Sequence, residues 1–268
     1  MDRVFYGNVL VGFLVVVMTA LVLWHWLPLA NAVGLVGIAS LAWCFRKESL
    51  SGWTKAGLLV LLVPLAFWVA TYRPAGFSYP HIFSLPGITD AVPRYEFFAN
   101  LGKGLCGFLL FYFLWAKPRA DEFIASRKYS ILIALLSPIV VIALAIFVLG
   151  LDVQIKTLQQ IFLFALGNLL IISVAEEVFM RLLLQQPLRN AIASMSTSRW
   201  LQEWVPLLLV TAIFVAIHSG LDGAAIWIYA LAGFLYGLSY ALSKNICYPI
   251  AVHFMVNQIH FSFLTYPP

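Results

Sequence analysis

Three short groups of polar residues stand inside otherwise apolar stretches. The first reads Ala175-Glu176-Glu177-Val178-Phe179-Met180-Arg181. The second ends a run as Phe214-Val215-Ala216-Ile217-His218. The third reads His253-Phe254-Met255-Val256-Asn257-Gln258-Ile259-His260. An ionisable group in a membrane helix costs on the order of 2.5–3.5 kcal/mol at the helix centre, so each group needs a reason to be there. Glu177 and Arg181 lie four apart, share a helical face and can neutralise each other. Glu176 is turned about 100° away from Glu177 on the same helix. It therefore points elsewhere with no local cation, and such a carboxylate marks a functional site. His253 and Asn257 also share a face, with His260 close to it. A polar seam between helices accounts for His260 and Gln258. A helix cap is the simplest reading of His218 taken alone.

Taken together, the set offers a carboxylate, two imidazoles and an amide on three separate segments. Those are the parts that hydrolysis by an activated water requires. A carboxylate held among apolar neighbours can take a proton from water, and an imidazole can hold the same water and pass a proton to a leaving amine. A second imidazole with an amide N–H can donate to a carbonyl oxygen as negative charge develops on it. Two imidazoles and a glutamate could also bind zinc, with Glu176, His218 and His253 as ligands. The chain holds no HExxH and no GxSxG, which leaves zincin and serine-hydrolase chemistry without a motif.

Membrane helices must carry these residues. Hydrophobic residues make up 63% of the 268 and charged ones 10%, a balance unsuited to a soluble globule. Apolar runs extend roughly over 5–29, 32–45, 56–72, 97–116, 129–149, 158–184, 204–218, 224–242 and 246–264. About 20 residues of helix cross a ~30 Å hydrocarbon core, and in lipid the backbone must satisfy its own hydrogen bonds. The expectation is an all-α, polytopic transmembrane bundle of eight or nine helices, the short second run being re-entrant or partial. No cleavable signal peptide is evident.

The net charge of +5 does not point to nucleic acid, because no basic run stands clear of an apolar segment. With the N-terminus in the cytoplasm and nine crossings, the inner segments carry Arg3, Arg46, Lys47, Lys55, Lys117, Arg119, Arg127, Lys128, Arg189, Arg199 and Lys244. The outer segments carry only Arg73, Arg94 and Lys156, in line with the positive-inside bias. The longest outer loop, 73–96, holds Pro74, Pro80, Pro86 and Pro93 among Phe77, Tyr79, Phe83 and Tyr95. It is not helical throughout, and its aromatics are expected at the membrane interface, a substrate-guiding lid being the other reading. In the fourth run, Gly102, Gly104 and Gly107 suggest close helix packing, and Lys103 is placed to snorkel or to pair with an acid. Cys44, Cys106 and Cys247 read as small buried hydrophobes.

At the three polar blocks the sequence resembles the CPBP family of CAAX proteases and bacteriocin-processing intramembrane proteases, which includes the type II CAAX prenyl endopeptidases. The family pattern is a double glutamate with an arginine four residues on, a phenylalanine four residues before a histidine, and a histidine four residues before an asparagine. Glu176-Glu177 with Arg181, Phe214 with His218, and His253 with Asn257 reproduce it in order. The resemblance divides the chain into 1–150, helices without a recognised motif, and 151–268, a catalytic membrane core. It implies that Glu176 and His218 activate water, that His253 and Asn257 form the oxyanion site, that Arg181 holds Glu177, and that Phe214 packs nearby. It implies a glutamate-type peptide hydrolase of the kind sometimes labelled a metalloprotease. Asn257 suits an oxyanion site better than zinc ligation, so a metal-free mechanism without cofactor is expected. The implied partners are the lipid bilayer and a membrane-associated protein or peptide with a lipidated tail or a C-terminal sorting tag. The closing stretch, with His260 and Phe263-Leu264-Thr265-Tyr266-Pro267, is similar to the bacterial subset linked to such tags, in the bacterial plasma membrane.

Two further readings stand beside this one. The same buried groups could carry protons or metal ions in a transporter, though no inverted repeat is visible. They could also be kept for packing in a non-catalytic scaffold. The protease reading meets one difficulty at this stage. With the sixth run travelling inward and His218 at the outer end of the seventh, Glu176 and His218 could differ in depth by about 10 Å. Tilted helices, or an interfacial helix within 185–199, would close that gap.

Overall fold

A computed structural model describes residues 3–89, 92–115, 127–218 and 223–266; side chains are described within these ranges except at 3–11, 86–89, 92–93 and 127. Lys117 and Arg119, which enter the charge count, lie outside the described residues, as do the side chains of Arg3 and Arg127.

Nine helices make up about three-quarters of the described residues. They are α1 (Arg3–Leu23), α2 (Leu29–Phe45), α3 (Gly52–Thr71), α4 (Leu101–Leu114), α5 (Arg127–Leu149), α6 (Leu158–Met195), α7 (Arg199–Ile217), α8 (Ala225–Ser243) and α9 (Cys247–Phe263). Five stretches, Gly52–Thr71, Lys128–Leu149, Leu158–Met195, Arg199–Ile217 and Ala225–Ser243, are long and apolar enough to cross a membrane. The protein is thus an integral membrane protein built as a helical bundle. Helix α2 is short, at 17 residues, as the sequence suggests. Exposed Leu, Val, Ile and Phe side chains along α3, α5 and α7 form the surface that lipid would cover.

Helix α6 continues through 38 residues without a break. Residues 186–195, within the 185–199 stretch where an interfacial helix is one of the two ways to close the depth gap, are instead its last turns. Two parts of α6 are π-helical, Asn168–Ser173 and Val178–Gln185. The amides of Val174 and Gln186 reach back five residues, to the carbonyls of Leu169 and Arg181. Such turns are rare and cluster at functional sites.

The proline-rich loop holds a hairpin that the sequence reading lacks. Strands β1 (His81–Thr89) and β2 (Val92–Phe98) pair antiparallel, with Phe83 opposite Phe97 and Leu85 opposite Tyr95. Helix α4 therefore begins at Leu101 and not at Phe97. The hairpin aromatics do more than rest at an interface. Phe83 and Phe97 stack together and meet Phe261 and Phe164, which are themselves stacked at 3.9 Å, while Tyr95 meets Tyr266 edge-on. Lys156 ties the same end together, donating to the Leu264 and Gln154 carbonyls at 2.7 and 2.9 Å, and burial pulls its ammonium below the usual lysine range. At the opposite ends of their helices, Glu203 pairs with both Arg189 and Lys244. The hairpin, the 150–157 loop and the C-terminal segment thus gather at one end, and Arg189, Glu203 and Lys244 at another.

Of the cysteines, Cys106 is buried and Cys44 half-buried, as expected, but Cys247 is exposed at the start of α9.

Candidate active site

The site lies where α4, α6, α7, α8 and α9 converge. Close approach of α4 to α6 depends on glycine. A Cβ on Gly107 would stand 2.5 Å from the Ala175 Cα, and one on Gly104 3.2 Å from the Leu170 carbonyl oxygen. The same holds for α8, where a Cβ on Gly233 would meet the Phe214 ring at 2.7 Å and one on Gly237 the Arg181 guanidinium at 2.9 Å. Small residues at these crossings let charged side chains reach across the bundle.

Glu177 and Arg181 are both 0% exposed and form a salt bridge at 2.7 Å. Arg181 also donates to Gln185 Oε1 at 2.9 Å, and Gln185 Nε2 donates to the Gly237 carbonyl at 3.1 Å. Every charge in this array is matched, which a buried ion pair requires. Glu177 has a second task that spacing alone does not show. Its Oε1 accepts from His253 Nδ1 at 2.8 Å. That bond places the hydrogen on Nδ1 and turns Nε2 toward the interior of the site. Tyr236 stacks flat on the His253 ring, centroids 4.6 Å apart and planes at 15°.

His218 is both a cap and a site residue. It ends α7, where its backbone N–H turns to the Val215 carbonyl, while its Nδ1 donates to the freed Phe214 carbonyl at 2.6 Å. Its Nε2 consequently faces the site. Phe214 packs 4.5 Å from the His218 ring and edge-on to His253 at 6.3 Å, filling the space between the two imidazoles. Tyr229 flanks His218 at 5.2 Å.

Glu176 lies between these rings. Its Oε2 is 4.0 Å from His218 Nε2 and 3.9 Å from His253 Nε2. Neither is a direct hydrogen bond, but each gap is one that a single solvent molecule can bridge. The depth difference inferred from sequence is therefore closed. Glu176 has no cation near it in sequence but is not unpaired: Lys103 on α4, for which pairing with an acid is one of the two sequence readings, brings its Nζ to Oε1 at 2.6 Å. The partner comes from a helix 73 residues away, so no local pattern announces it. Glu176, Lys103 and His218 line a cavity of about 340 Å³ with Phe67, Phe179 and Met180 among its walls.

Asn257 stands one turn beyond His253 on α9, and its amide donates to Asn168 Oδ1 at 3.2 Å. Asn168, which sequence reasoning passed over, is fully buried; it donates to the Phe254 carbonyl at 3.0 Å and accepts from Ser173 Oγ at 3.0 Å. Residues five apart face away from each other on an α-helix, whereas π-helical turns bring them onto one side. The local winding of α6 thus makes the Asn168–Ser173 pair. His260 and Gln258 serve structure, as expected: His260 Nε2 meets the Thr265 carbonyl at 3.1 Å, and Gln258 Nε2 donates to the Ile161 carbonyl at 3.2 Å.

Fold and site together define a polytopic membrane protein whose bundle encloses an acid, two imidazoles and an amide. Residues 158–259 match the family model described as type II CAAX prenyl endopeptidase Rce1-like. Over that stretch the chain is similar to the type II CAAX prenyl endopeptidases. The match takes in Glu176, Glu177, Arg181, Phe214, His218, His253 and Asn257, and leaves 1–157 and 260–268 uncovered. No curated protein and no solved structure matches the chain.

Proposed function

We propose that the protein hydrolyses a peptide bond in a membrane-associated protein or peptide, using water activated by Glu176 and His218. The observation that carries this reading is the approach of one carboxylate oxygen, Glu176 Oε2, to the Nε2 atoms of both His218 and His253 at 4.0 and 3.9 Å. Water held there gives a proton to Glu176 as its oxygen attacks the scissile carbonyl. Negative charge then gathers on the former carbonyl oxygen. His253, held at Nδ1 by the Glu177 carboxylate, donates to it from a protonated Nε2, and the second amide hydrogen of Asn257 adds a further donor. As the tetrahedral intermediate collapses, the proton passes by way of Glu176 or His218 to the leaving amine.

Zinc held by Glu176, His218 and His253 fits this site poorly. The Lys103 ammonium already stands 2.6 Å from Glu176 Oε1, so a dication would share its carboxylate with a fixed positive charge. The spread of 3.9–4.0 Å between ligating atoms also exceeds the edge of about 3.3 Å that tetrahedral zinc with ~2.05 Å bonds would set. Metal-free, glutamate-type catalysis is the reading these distances favour. We assign the N-terminus to the cytoplasmic side of a bacterial plasma membrane, on the excess of basic residues in the inner segments. The substrate class is a polypeptide with a lipidated tail or a C-terminal sorting tag whose membrane segment is clipped.

The test uses protein purified in detergent or nanodiscs, with two reporters: a prenylated C-terminal peptide, and a fusion ending in one transmembrane helix and a basic tail. Wild type cleaves at least one of them; Glu176→Gln and His218→Ala abolish cleavage with folding intact; His260→Ala, off the site, retains it. Cleavage by Glu176→Gln at the wild-type rate would sink the mechanism. Ion flux in proteoliposomes without any cleavage would replace it with the transporter reading.

A further inference from the structure

We infer that Lys103 is a positioning residue for Glu176, one that divides the labour between the two carboxylate oxygens. This rests on the reading of Glu176 as the base that activates water. Lys103 is held in place before its side chain is considered. Its backbone N–H is capped by Asn100 Oδ1 at 2.9 Å, and the Asn100 amide donates to the Ala70 carbonyl at 2.9 Å, which pins the start of α4 to the end of α3. Gly104 and Gly107 then let α4 lie against α6 closely enough for the Lys103 ammonium to reach Glu176.

The contact involves one oxygen only. Lys103 takes Oε1 at 2.6 Å, whereas Oε2 is the atom facing His218 and His253. Two consequences follow. Rotation of the carboxylate is arrested, so the oxygen presented to water is always the same one. The charge of Glu176 is also matched within a bundle that offers it little solvent, since the Glu176 side chain is 16% exposed. The nearby charged and titratable groups have other tasks. Glu177 is spent on Arg181 and on His253 Nδ1. His218 Nδ1 is spent on the Phe214 carbonyl, and Tyr236 and Tyr229 lie against the imidazoles. A carboxylate without Lys103 would be free to swing.

The experiment compares wild type, Lys103→Met, Lys103→Arg and Glu176→Gln on whichever reporter the wild type cleaves, with kcat and KM measured across roughly pH 5 to 9. Lys103→Met is expected to lower kcat about 10- to 100-fold, the scale of losing one placed charge at a reacting group, with KM little changed. Its pH profile changes shape, because the carboxylate loses the charge held beside it. Lys103→Arg restores that shape and most of kcat. A lysine that merely supports packing would instead lower the unfolding temperature and leave the shape of the pH profile unmoved. Should Lys103→Met fail to fold, Lys103→Gln, which keeps a donor without the charge, carries the same comparison. Wild-type kcat and pH profile in the uncharged variant, alongside an inactive Glu176→Gln, would refute the role of Lys103 and leave the base assignment standing. Activity in Glu176→Gln would refute the base assignment itself.

Discussion

Gly107→Ala tests the architecture of the site at its tightest crossing. A methyl group built there would lie 2.5 Å from the Ala175 Cα, 2.7 Å from its Cβ and 3.0 Å from its N. Carbon atoms settle at about 3.5–4.0 Å, so α4 and α6 must part by about 1 Å. The nearest atoms are backbone, with no rotamer to turn away. Overpacking of this kind costs about 1–3 kcal/mol, and each kcal/mol lowers the unfolding temperature by about 2–4 °C for a chain of this size. Ala175 directly precedes Glu176, so the same displacement pulls the carboxylate from Lys103, where the contact is now 2.6 Å. A misplacement of about 1 Å at a reacting group can cost about 100-fold in rate. Gly57→Ala on α3 is the control, since a Cβ there meets nothing within 4 Å. Thermal unfolding in detergent and reporter cleavage should both fall for Gly107→Ala and hold for Gly57→Ala. If the two variants unfold at the wild-type temperature and cleave alike, the close packing of α4 on α6 is not what holds the site.

Glu177→Gln strips the counter-charge from an arginine with no exposure, a loss of about 3–5 kcal/mol by the usual cost of breaking a buried pair. Its unfolding temperature should drop further than that of Glu176→Gln, and an equal drop would count against the buried pair. Asn168→Ala removes the acceptor that orients Asn257, so kcat should fall with KM nearly constant, as for a group acting in the transition state. A rise in KM alone would argue against that role.

Much of the site can be read from spacing, and the omissions have identifiable causes. Glu177 with Arg181, and His253 with Asn257, are pairs four apart on one helix, where sequence distance and spatial distance agree. Meeting across helices is different. Lys103 could be recognised as an expensive charge within an apolar run, but its partner is set by the glycines that bring α4 onto α6. Spacing does not mark Asn168, because π-helical winding shifts the face on which it lies and an α-helical wheel assigns it wrongly. The hairpin was hidden for another reason. Pro80, Pro86 and Pro93 interrupt the segment, although Phe83 and Leu85 alternate as one buried face of a strand should. The second role of Glu177, as the acceptor for His253, was masked by the adequacy of its first.

Both imidazoles are fastened by their far nitrogens, His218 to the end of its own helix and His253 to Glu177. Those anchors are donors in the neutral ring and in the charged ring alike. A proton can therefore arrive at or leave the inward nitrogen with no tautomer exchange, no ring flip and no loosening of the helix end. Under the proposed mechanism, a relay mounted in this way on His218 would reset as soon as the proton departs.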